Sequence, residues 1–284
     1  MKKILISYGD KFFENSLNRV AKEAKQLNIF DKIILYHPSD LPEFIKANPL
    51  MAFKKGGGYW MWKPYIIWKT LQDFKCATVV YVDAGCNLNK SDEWDNYFNE
   101  ILNYETIVFN YRKGINYGWA QNYNCDSPAI KYWSKKSTLE YFDKLFQCSD
   151  WKENDKIMGG FIIAKNSDNN LINAWLQTSL FFPNLIIDPI GNELKNQEDF
   201  YVSHRHDQSI LTPLVYYWKD KNNKILILEE TAESAIVNQN NNVAVVASRN
   251  RDYKNPTISF KTRIIWIVKF FLGNKIYNLL HGYK

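Results

Sequence analysis

An apolar run at residues 78–82, Thr-Val-Val-Tyr-Val, stops on an aspartate at 83, and no other boundary constrains the chain as much. β-branched and aromatic residues without alternation predict a strand covered on both faces, as a central parallel strand of an α/β sheet is. Asp83 then emerges at the carboxyl end of that strand, the edge where open α/β sheets hold their ligands. Ala84, Gly85 and Cys86 follow, small residues past which a bulky group can lie close to the backbone.

The flanking stretches alternate in the manner of an α/β fold. Residues 3–8 predict a first strand ended by Gly9-Asp10, and 15–27 a helix with Leu17, Val20, Ala21, Ala24 and Leu27 on one face. Residues 31–36 predict a second strand. This β-α-β opening resembles a mononucleotide-binding half, but no GxGxxG follows the first strand, which disfavours a dinucleotide cofactor. A helix is expected over 42–53, running into Gly56-Gly57-Gly58. Three glycines could serve simply as a flexible connection. Tyr59, Trp60, Trp62, Lys63 and Pro64 come next, costly residues to leave beside an idle linker and suited to closing over a ligand, with Pro64 in the first turn of a helix over 65–74.

Further on, the pattern predicts a helix at 93–104, a strand at 106–110 and an aromatic, amide-rich loop at 116–124, which either binds sugar or simply packs. A helix is expected from Ser137, with Glu140 completing a capping box. Residues 156–165 predict an apolar strand with Gly159-Gly160 at its mouth, 169–180 a helix and 182–196 a loop rich in Pro and Asn. The run His204-Arg205-His206-Asp207-Gln208 opens an apolar helix, whose N-terminal field favours anions. A late strand at 224–228 and a polar turn at 238–242 precede Pro256, which marks the end of a 1–255 body before a basic, aromatic helical tail at 256–284.

Charge and cysteine usage narrow the partners. Residues 249–284 hold eight Lys/Arg against Asp252 alone, so the net charge of +6 belongs to the tail and the body is close to neutral. That asymmetry argues against nucleic acid and for an anionic phospholipid surface met by the tail. Cys76, Cys86, Cys125 and Cys148 lack CxxC spacing, which disfavours zinc, and free thiols suit a reducing cytoplasm. The opening MKKILISYGD reaches an acidic residue too early for a secretory signal. No run approaches the ~18 apolar residues of a membrane span. A cytoplasmic protein, peripheral at the inner membrane, is expected. Aromatics make up 16% of the chain, with 10 Trp and 18 Tyr, which points to stacking on sugars or bases, to a membrane interface, or to an aromatic core.

A diphosphate leaving group asks for a divalent cation, a carboxylate to hold it and cationic groups around the phosphates. Asp83 is the candidate carboxylate, His204 or His206 a second ligand, and Lys63 and Arg205 the phosphate clamps. Asp207 and Gln208 would face the donor sugar, and Gly159-Gly160 would leave space for sugar or acceptor atoms.

The run YWMWKP at 59–64, YVDAGCNLN at 81–89, a Gly-Gly-Phe strand opening and HRHDQSIL at 204–211 together resemble bacterial and viral sugar transferases of the GT-A nucleotide-diphospho-sugar fold, of the kind that build lipopolysaccharide or capsule. The resemblance spans residues 1–250. It implies a mixed α/β sheet flanked by helices, a nucleotide-sugar donor such as a UDP-sugar, a surface-glycan or lipid-linked acceptor, and Mn²⁺ or Mg²⁺. Carried onto this chain, it places Asp207 and Gln208 in catalysis, and Tyr8, Tyr59, Trp62, Lys63, Asp83, Ala84, Gly85 and Arg205 around the donor. Gly159, Gly160 and Trp119 fall to the acceptor pocket, and Asp83, His204 and His206 to the metal. Enzymes of this fold usually carry Asp-x-Asp after the metal-binding strand; here Gly85 stands third, so a histidine or water completes the shell or metal dependence is weakened. The Asp-Gln pair after a histidine is similar to retaining galactosyltransferases and glycogenin-like enzymes and implies retention; an inverting enzyme would use Asp207 or Asp155 as base. Two rivals stay in view. A haloacid-dehalogenase-type phosphatase also places an Asp after an apolar strand but needs a second Asp where Gly85 stands. A sugar-binding module would use the aromatic clusters and keep Asp83 as a structural cap.

Overall fold

The computed structural model describes residues 1–249 apart from Asn116 and Asn241, with the side chain of Gln121 also outside the description. The tail expected at 256–284 and the domain boundary at 255 lie outside the described residues. Six strands form the main sheet: β1 (Lys2–Tyr8), β2 (Lys32–Tyr36), β3 (Ala77–Val82), β5 (Thr106–Asn110), β6 (Phe161–Lys165) and β7 (Ile225–Glu229). Their order is β2-β1-β3-β6-β5-β7. Two further short strands, β4 (Asn87–Leu88) and β8 (Val245–Val246), pair antiparallel beside it.

β3 is buried along its whole length, as its composition requires, and it stands in the interior of the sheet. It is parallel to β1 alone; toward β6 it runs antiparallel, so the sheet is mixed rather than parallel about β3. Because β6 is also antiparallel to β5, β3 and β5 point the same way and end at one edge of the sheet. Helix Glu14–Leu27 covers β1 and β2, while Trp62–Asp73, Asn170–Phe181 and Asp207–Asn222 pack in a row against one another and onto β3, β6 and β7. The apolar core is continuous through all of them.

Several local expectations are corrected. The helix expected at 42–53 breaks into Glu43–Lys46 and a 3-10 turn at Pro49–Ala52, because Pro49 has no N–H to continue the ladder. The helix expected at 93–104 ends its regular part at Glu100. The loop expected at 116–124 contains a helix, Gly118–Tyr123, and the one at 182–196 contains a 3-10 turn, Pro183–Leu185, and a short helix, Asn192–Lys195. Ser137 caps nothing: the helix starts at Lys136, and the Ser137 hydroxyl donates to Glu193.

The glycine cluster is neither a linker nor a loose hinge. Gly56, Gly57, Gly58, Tyr59 and Trp60 all have positive φ, between 55° and 96°, and the amides of Tyr59 and Trp60 bond back four residues to the carbonyls of Lys55 and Gly56. The chain makes one left-handed helical turn here. L-residues resist that hand by about 1–2 kcal/mol each, so the glycines carry most of it and Tyr59 and Trp60 are held by their neighbours.

The turn after β3 is fixed by a group that an apolar reading of the first helix overlooks. Arg19, buried on that helix, donates from Nη1 to the Cys86 carbonyl at 2.5 Å and from Nη2 to the Ala84 carbonyl at 2.9 Å. Glu23, one turn on, accepts from the Asn87 amide side chain and the Leu88 backbone N–H. Since charge-assisted hydrogen bonds are worth about 1.5–3 kcal/mol each, Arg19→Leu is expected to cost roughly 2–4 kcal/mol of stability. Urea unfolding would show it as a lowered midpoint at unchanged slope.

Candidate active site

Asp83 leaves the end of β3 with its backbone N–H bonded to the Gly160 carbonyl at 2.8 Å. Its side chain is 40% exposed. The Tyr81 hydroxyl, two residues back on the same strand, donates to Asp83 Oδ1. Burial, and then the Asp83 charge, push the Tyr81 phenol well above its ordinary pKa, so it remains a donor.

The partner that organises the site is Lys63, from the start of helix Trp62–Asp73. Its ammonium is 2% exposed and sits 2.6 Å from Asp207 Oδ2, 2.9 Å from the Gly159 carbonyl and 3.4 Å from Asp83 Oδ1. Burial alone would pull its pKa down; the charges of Asp207 and then Asp83 outweigh that, and the group ends above the ordinary lysine value. Two of its N–H donors bond to Asp207 and the Gly159 carbonyl, and Asp83 completes the group as an ion pair. Lys63, expected as a phosphate clamp, here acts as the counter-ion that joins two carboxylates from distant parts of the chain.

Gly159 and Gly160 make that junction possible. A Cβ on Gly159 would come within 2.9 Å of Asp207 Oδ2 and 3.2 Å of Gln208 Cγ, and a Cβ on Gly160 within 3.0 Å of Asp83 Oδ2. The space that the glycines leave is used by the two aspartates, not by an acceptor sugar. Asp207 is the first residue of helix Asp207–Asn222, where the helix field favours a carboxylate, and Gln208 follows it against Gly159.

Gly85 has a similar explanation. A Cβ there would lie 3.2 Å from Arg249 Cα, and the Ser248 hydroxyl donates to the Gly85 carbonyl. What passes close to residues 84–86 is this chain's own segment after β8, so the smallness of Gly85 does not report a ligand.

The histidines are committed elsewhere. His204 Nδ1 accepts from the Lys135 backbone N–H at 3.2 Å, which leaves Nε2 to donate to the Leu185 carbonyl at 2.9 Å. Both nitrogens are used, and no lone pair remains for a metal. His206 Nδ1 donates to the Ile186 carbonyl at 2.9 Å, and its Nε2 lies 3.7 Å from Asp188. Asp188 also accepts from Lys55 and from the Tyr59 hydroxyl, while His206 stacks on Trp60. Both histidines thus tie the 182–196 segment and the left-handed turn to the start of helix Asp207–Asn222. His206 does so with φ 52° and ψ −113°, backbone that only tight surroundings sustain.

The aromatic candidates are likewise packed. Tyr8 and Trp62 stack on each other with ring centroids 3.7 Å apart, and Trp62 Nε1 donates to the Gly56 carbonyl. Trp119 is buried between Tyr117, stacked at 5.1 Å, and the Lys156 ammonium, 3.1 Å from the ring centroid. Arg205 does not reach Asp83: its guanidinium lies over Tyr123 and Trp133. Asp83, Lys63, Asp207, Gln208 and the two glycines are brought together; Trp119, Arg205, His204 and His206 stand apart from that junction. Sequence reasoning missed Tyr81, Arg19, Asp188 and Lys156. Of these only Tyr81 carried a signal, standing two residues before Asp83 and hence on the same side of the strand.

A metal must be judged on this donor set. Among the described residues no three His, Cys, Asp or Glu side chains come together to hold an ion. Asp83 supplies one partly exposed carboxylate beside a bound ammonium. That fits a Mg²⁺-like ion carried in with phosphate oxygens and water and touching the protein through one carboxylate. It does not fit a shell completed by His204, both of whose nitrogens are engaged.

Compared with solved structures, the chain is similar to a glycosyltransferase involved in the glycosylation of the major capsid of PBCV-1, at TM-score 0.46 and 8% identity over 87% of this chain and 93% of that one. It is also similar to mouse xyloside xylosyltransferase 1, at TM-score 0.40 and 9% identity over 81% and 85% of the two chains. A third is the galactosyltransferase LgtC in complex with donor and acceptor sugar analogues, at TM-score 0.36 and 11% identity over 79% and 72%. No family model and no curated protein matches the chain.

The ion junction and the histidines each give a measurable outcome. Lys63→Met would leave two carboxylates uncompensated and is expected to cost about 3–5 kcal/mol, with part of it regained in Lys63→Met/Asp207→Asn; denaturant unfolding of the three proteins checks this. Burial, followed by neighbouring charge, holds His204 well below its ordinary 6.5, and burial lowers His206. The folded chain therefore excludes protons that the unfolded chain takes up below 6.5. Stability is expected to fall as pH drops from 6.5 towards 5, and the slope should flatten in His204→Gln.

Proposed function

We propose that the chain is a glycosyltransferase that moves a sugar from a nucleotide-diphosphate donor, such as a UDP-sugar, to a surface-glycan or lipid-linked acceptor. The observation that carries this reading is Asp83: a partly exposed carboxylate at the carboxyl end of an interior strand, locked in orientation by Tyr81 and Lys63. Lys63 neutralises one of two negative charges, so the junction keeps a net charge of about −1 facing solvent. It suits a divalent cation better than a bare diphosphate.

In the proposed reaction the bond from the anomeric carbon to the donor phosphate breaks, the diphosphate leaves with the electron pair, and an acceptor hydroxyl forms the new bond and loses its proton. Mn²⁺ or Mg²⁺, held by Asp83, phosphate oxygens and water, would supply charge neutralisation for the leaving diphosphate. Lys63 holds Asp83 and Asp207 at fixed separation. Asp207 and Gln208, in the first turn of their helix and against Gly159, face the donor sugar. The nucleoside end lies toward Tyr8, Tyr59 and Trp62, at the carboxyl end of β1 beside β3.

Retention of anomeric configuration is the favoured outcome. Of the two carboxylates that could serve an inverting enzyme as base, Asp207 already has Oδ2 bound to the buried Lys63 ammonium at 2.6 Å. The basic segment at 256–284 supports a peripheral place at the inner face of the membrane. Among the described residues no helix is long and apolar enough to cross a bilayer. The phosphatase alternative loses its second acid, because Gly85 lies under the Arg249 backbone. The lectin alternative loses its stacking platform, because both faces of Trp119 are covered.

A thermal-shift series with Mn²⁺, UDP and both together tests the reading. Mn²⁺ alone should leave Tm unchanged, and UDP with Mn²⁺ should raise it. Asp83→Asn should remove the metal-dependent part and reduce transfer by about 10²-fold or more. No response to any nucleotide diphosphate, with or without metal, would sink the proposal.

A further inference from the structure

Beside the ion junction, and unused by it, the buried Lys156 and the half-buried Arg205 carry donor atoms that meet no acceptor among the described residues. Lys156 Nζ has no hydrogen-bond acceptor, and it lies 3.1 Å from the Trp119 centroid, 4.1 Å from Tyr111 and 4.6 Å from Trp133. Arg205 Nε and Nη2 are also buried and without acceptors, and its Cζ is 4.7 Å from the same Trp133 ring and 5.0 Å from Tyr123. Nε and Nη2 form one edge of the guanidinium, the edge that receives a carboxylate or phosphate through two parallel hydrogen bonds. Glu233, the carboxylate that bears most on Lys156, is already engaged by Tyr111 at 2.8 Å and by Arg249 at 3.6 Å.

Ring faces compensate such cations only in part. What a desolvated cation–π contact returns is about what a buried donor without an acceptor costs, and a buried charge costs more. Lys156 has one escape, since burial and the Arg205 charge hold its pKa well below the usual value and favour a neutral amine. Arg205 has none, because a guanidinium stays protonated in proteins. Its unpaired edge calls for an anion that no described residue provides.

The position suggests whose anion. Asn110, the last residue of β5, bridges to Ile157, and the Tyr111 N–H donates to the Lys156 carbonyl, so Lys156 sits at the carboxyl end of β5. That is the same sheet edge as Asp83, two strands away, or about 10 Å at the usual strand spacing. Arg205 stands two residues before Asp207. Tyr123, 44% exposed, forms the outer wall. A sugar bound next to Asp207 would extend along this edge toward this place.

We infer that Lys156 and Arg205 form a subsite for an oxyanion, a carboxylate or a phosphate, carried by the acceptor glycan. The inference rests on the transferase reading for the word acceptor, but the anion site stands on its own geometry. Binding places the oxyanion against the Arg205 edge and draws a proton onto Lys156, whose ammonium becomes the third donor.

The full chain, at constant ionic strength and without nucleotide or metal, is titrated by thermal shift with glucuronate, glucose 6-phosphate and glucose. The acidic sugars should raise Tm and glucose should not, and the larger of the two responses tells carboxylate from phosphate. Lys156→Met and Arg205→Gln should each weaken the response by about tenfold or more, the factor that one charge-assisted hydrogen bond carries. Lys156→Met should be no less stable than the parent, since it replaces an unpaired buried amine with an apolar chain of similar length. Equal responses to glucose and glucuronate, or responses unchanged in both variants, overturn the subsite. The UDP and Mn²⁺ series on the same samples separates the two readings: a nucleotide response without an anion response removes the subsite alone, and the converse removes the transferase reading while the anion site survives.

Discussion

The structure turns on the Lys63 ammonium. It joins residue 63 at the head of one helix, Asp83 at the end of β3, the Gly159 carbonyl before β6 and Asp207 at the head of another helix, contacts that span up to 144 residues of chain. Desolvating an ammonium costs several kcal/mol, and the cost is offset here by two hydrogen bonds and by the charges of two carboxylates. The result is a rigid corner where four elements of the sheet and helix layers meet. One carboxylate of the corner, Asp83, remains open to solvent, and the geometry of that opening is set by a group that never touches it from outside.

Much of the frame was legible in the residues. Unbroken β-branched runs marked β3, β5 and β6, and the apolar face of 15–27 marked the first helix within a residue of its bounds. Asp83 as the point of interest followed from the strand that precedes it. The mixed character of the sheet was less visible, since a buried strand has the same composition whether its neighbour runs parallel or antiparallel.

The duties of individual polar residues were the hardest to read, for a physical reason. A lysine next to aromatics looks like a phosphate ligand until its partner, 144 residues away, is known. Two histidines beside an Asp look like metal ligands until the carbonyls of Leu185 and Ile186 are seen to engage them. Small residues announce a close approach but not what approaches: at Gly85 it is Arg249, and at Gly159-Gly160 it is the two aspartates. Arg19 lies on the buried side of an amphipathic helix, where apolar periodicity has no means of flagging a cation. The aromatic surplus, read as a stacking surface, is largely spent in pairs such as Tyr8 with Trp62 and Phe109 with Phe161.

The left-handed turn at 56–60 has a consequence for how this chain can vary. Winding an L-polypeptide against its preferred hand demands three successive residues without side chains, and adding a Cβ at Gly58 would press on Met51 while one at Gly56 would enter the Trp60 ring. Any descendant of this sequence must therefore keep the triplet whole or abandon the turn altogether, together with the placement of Tyr59 and Trp60 that it dictates. Of the two lysines just before this rim, Lys55 is tied to Asp188, so the constraint reaches back past the glycines themselves.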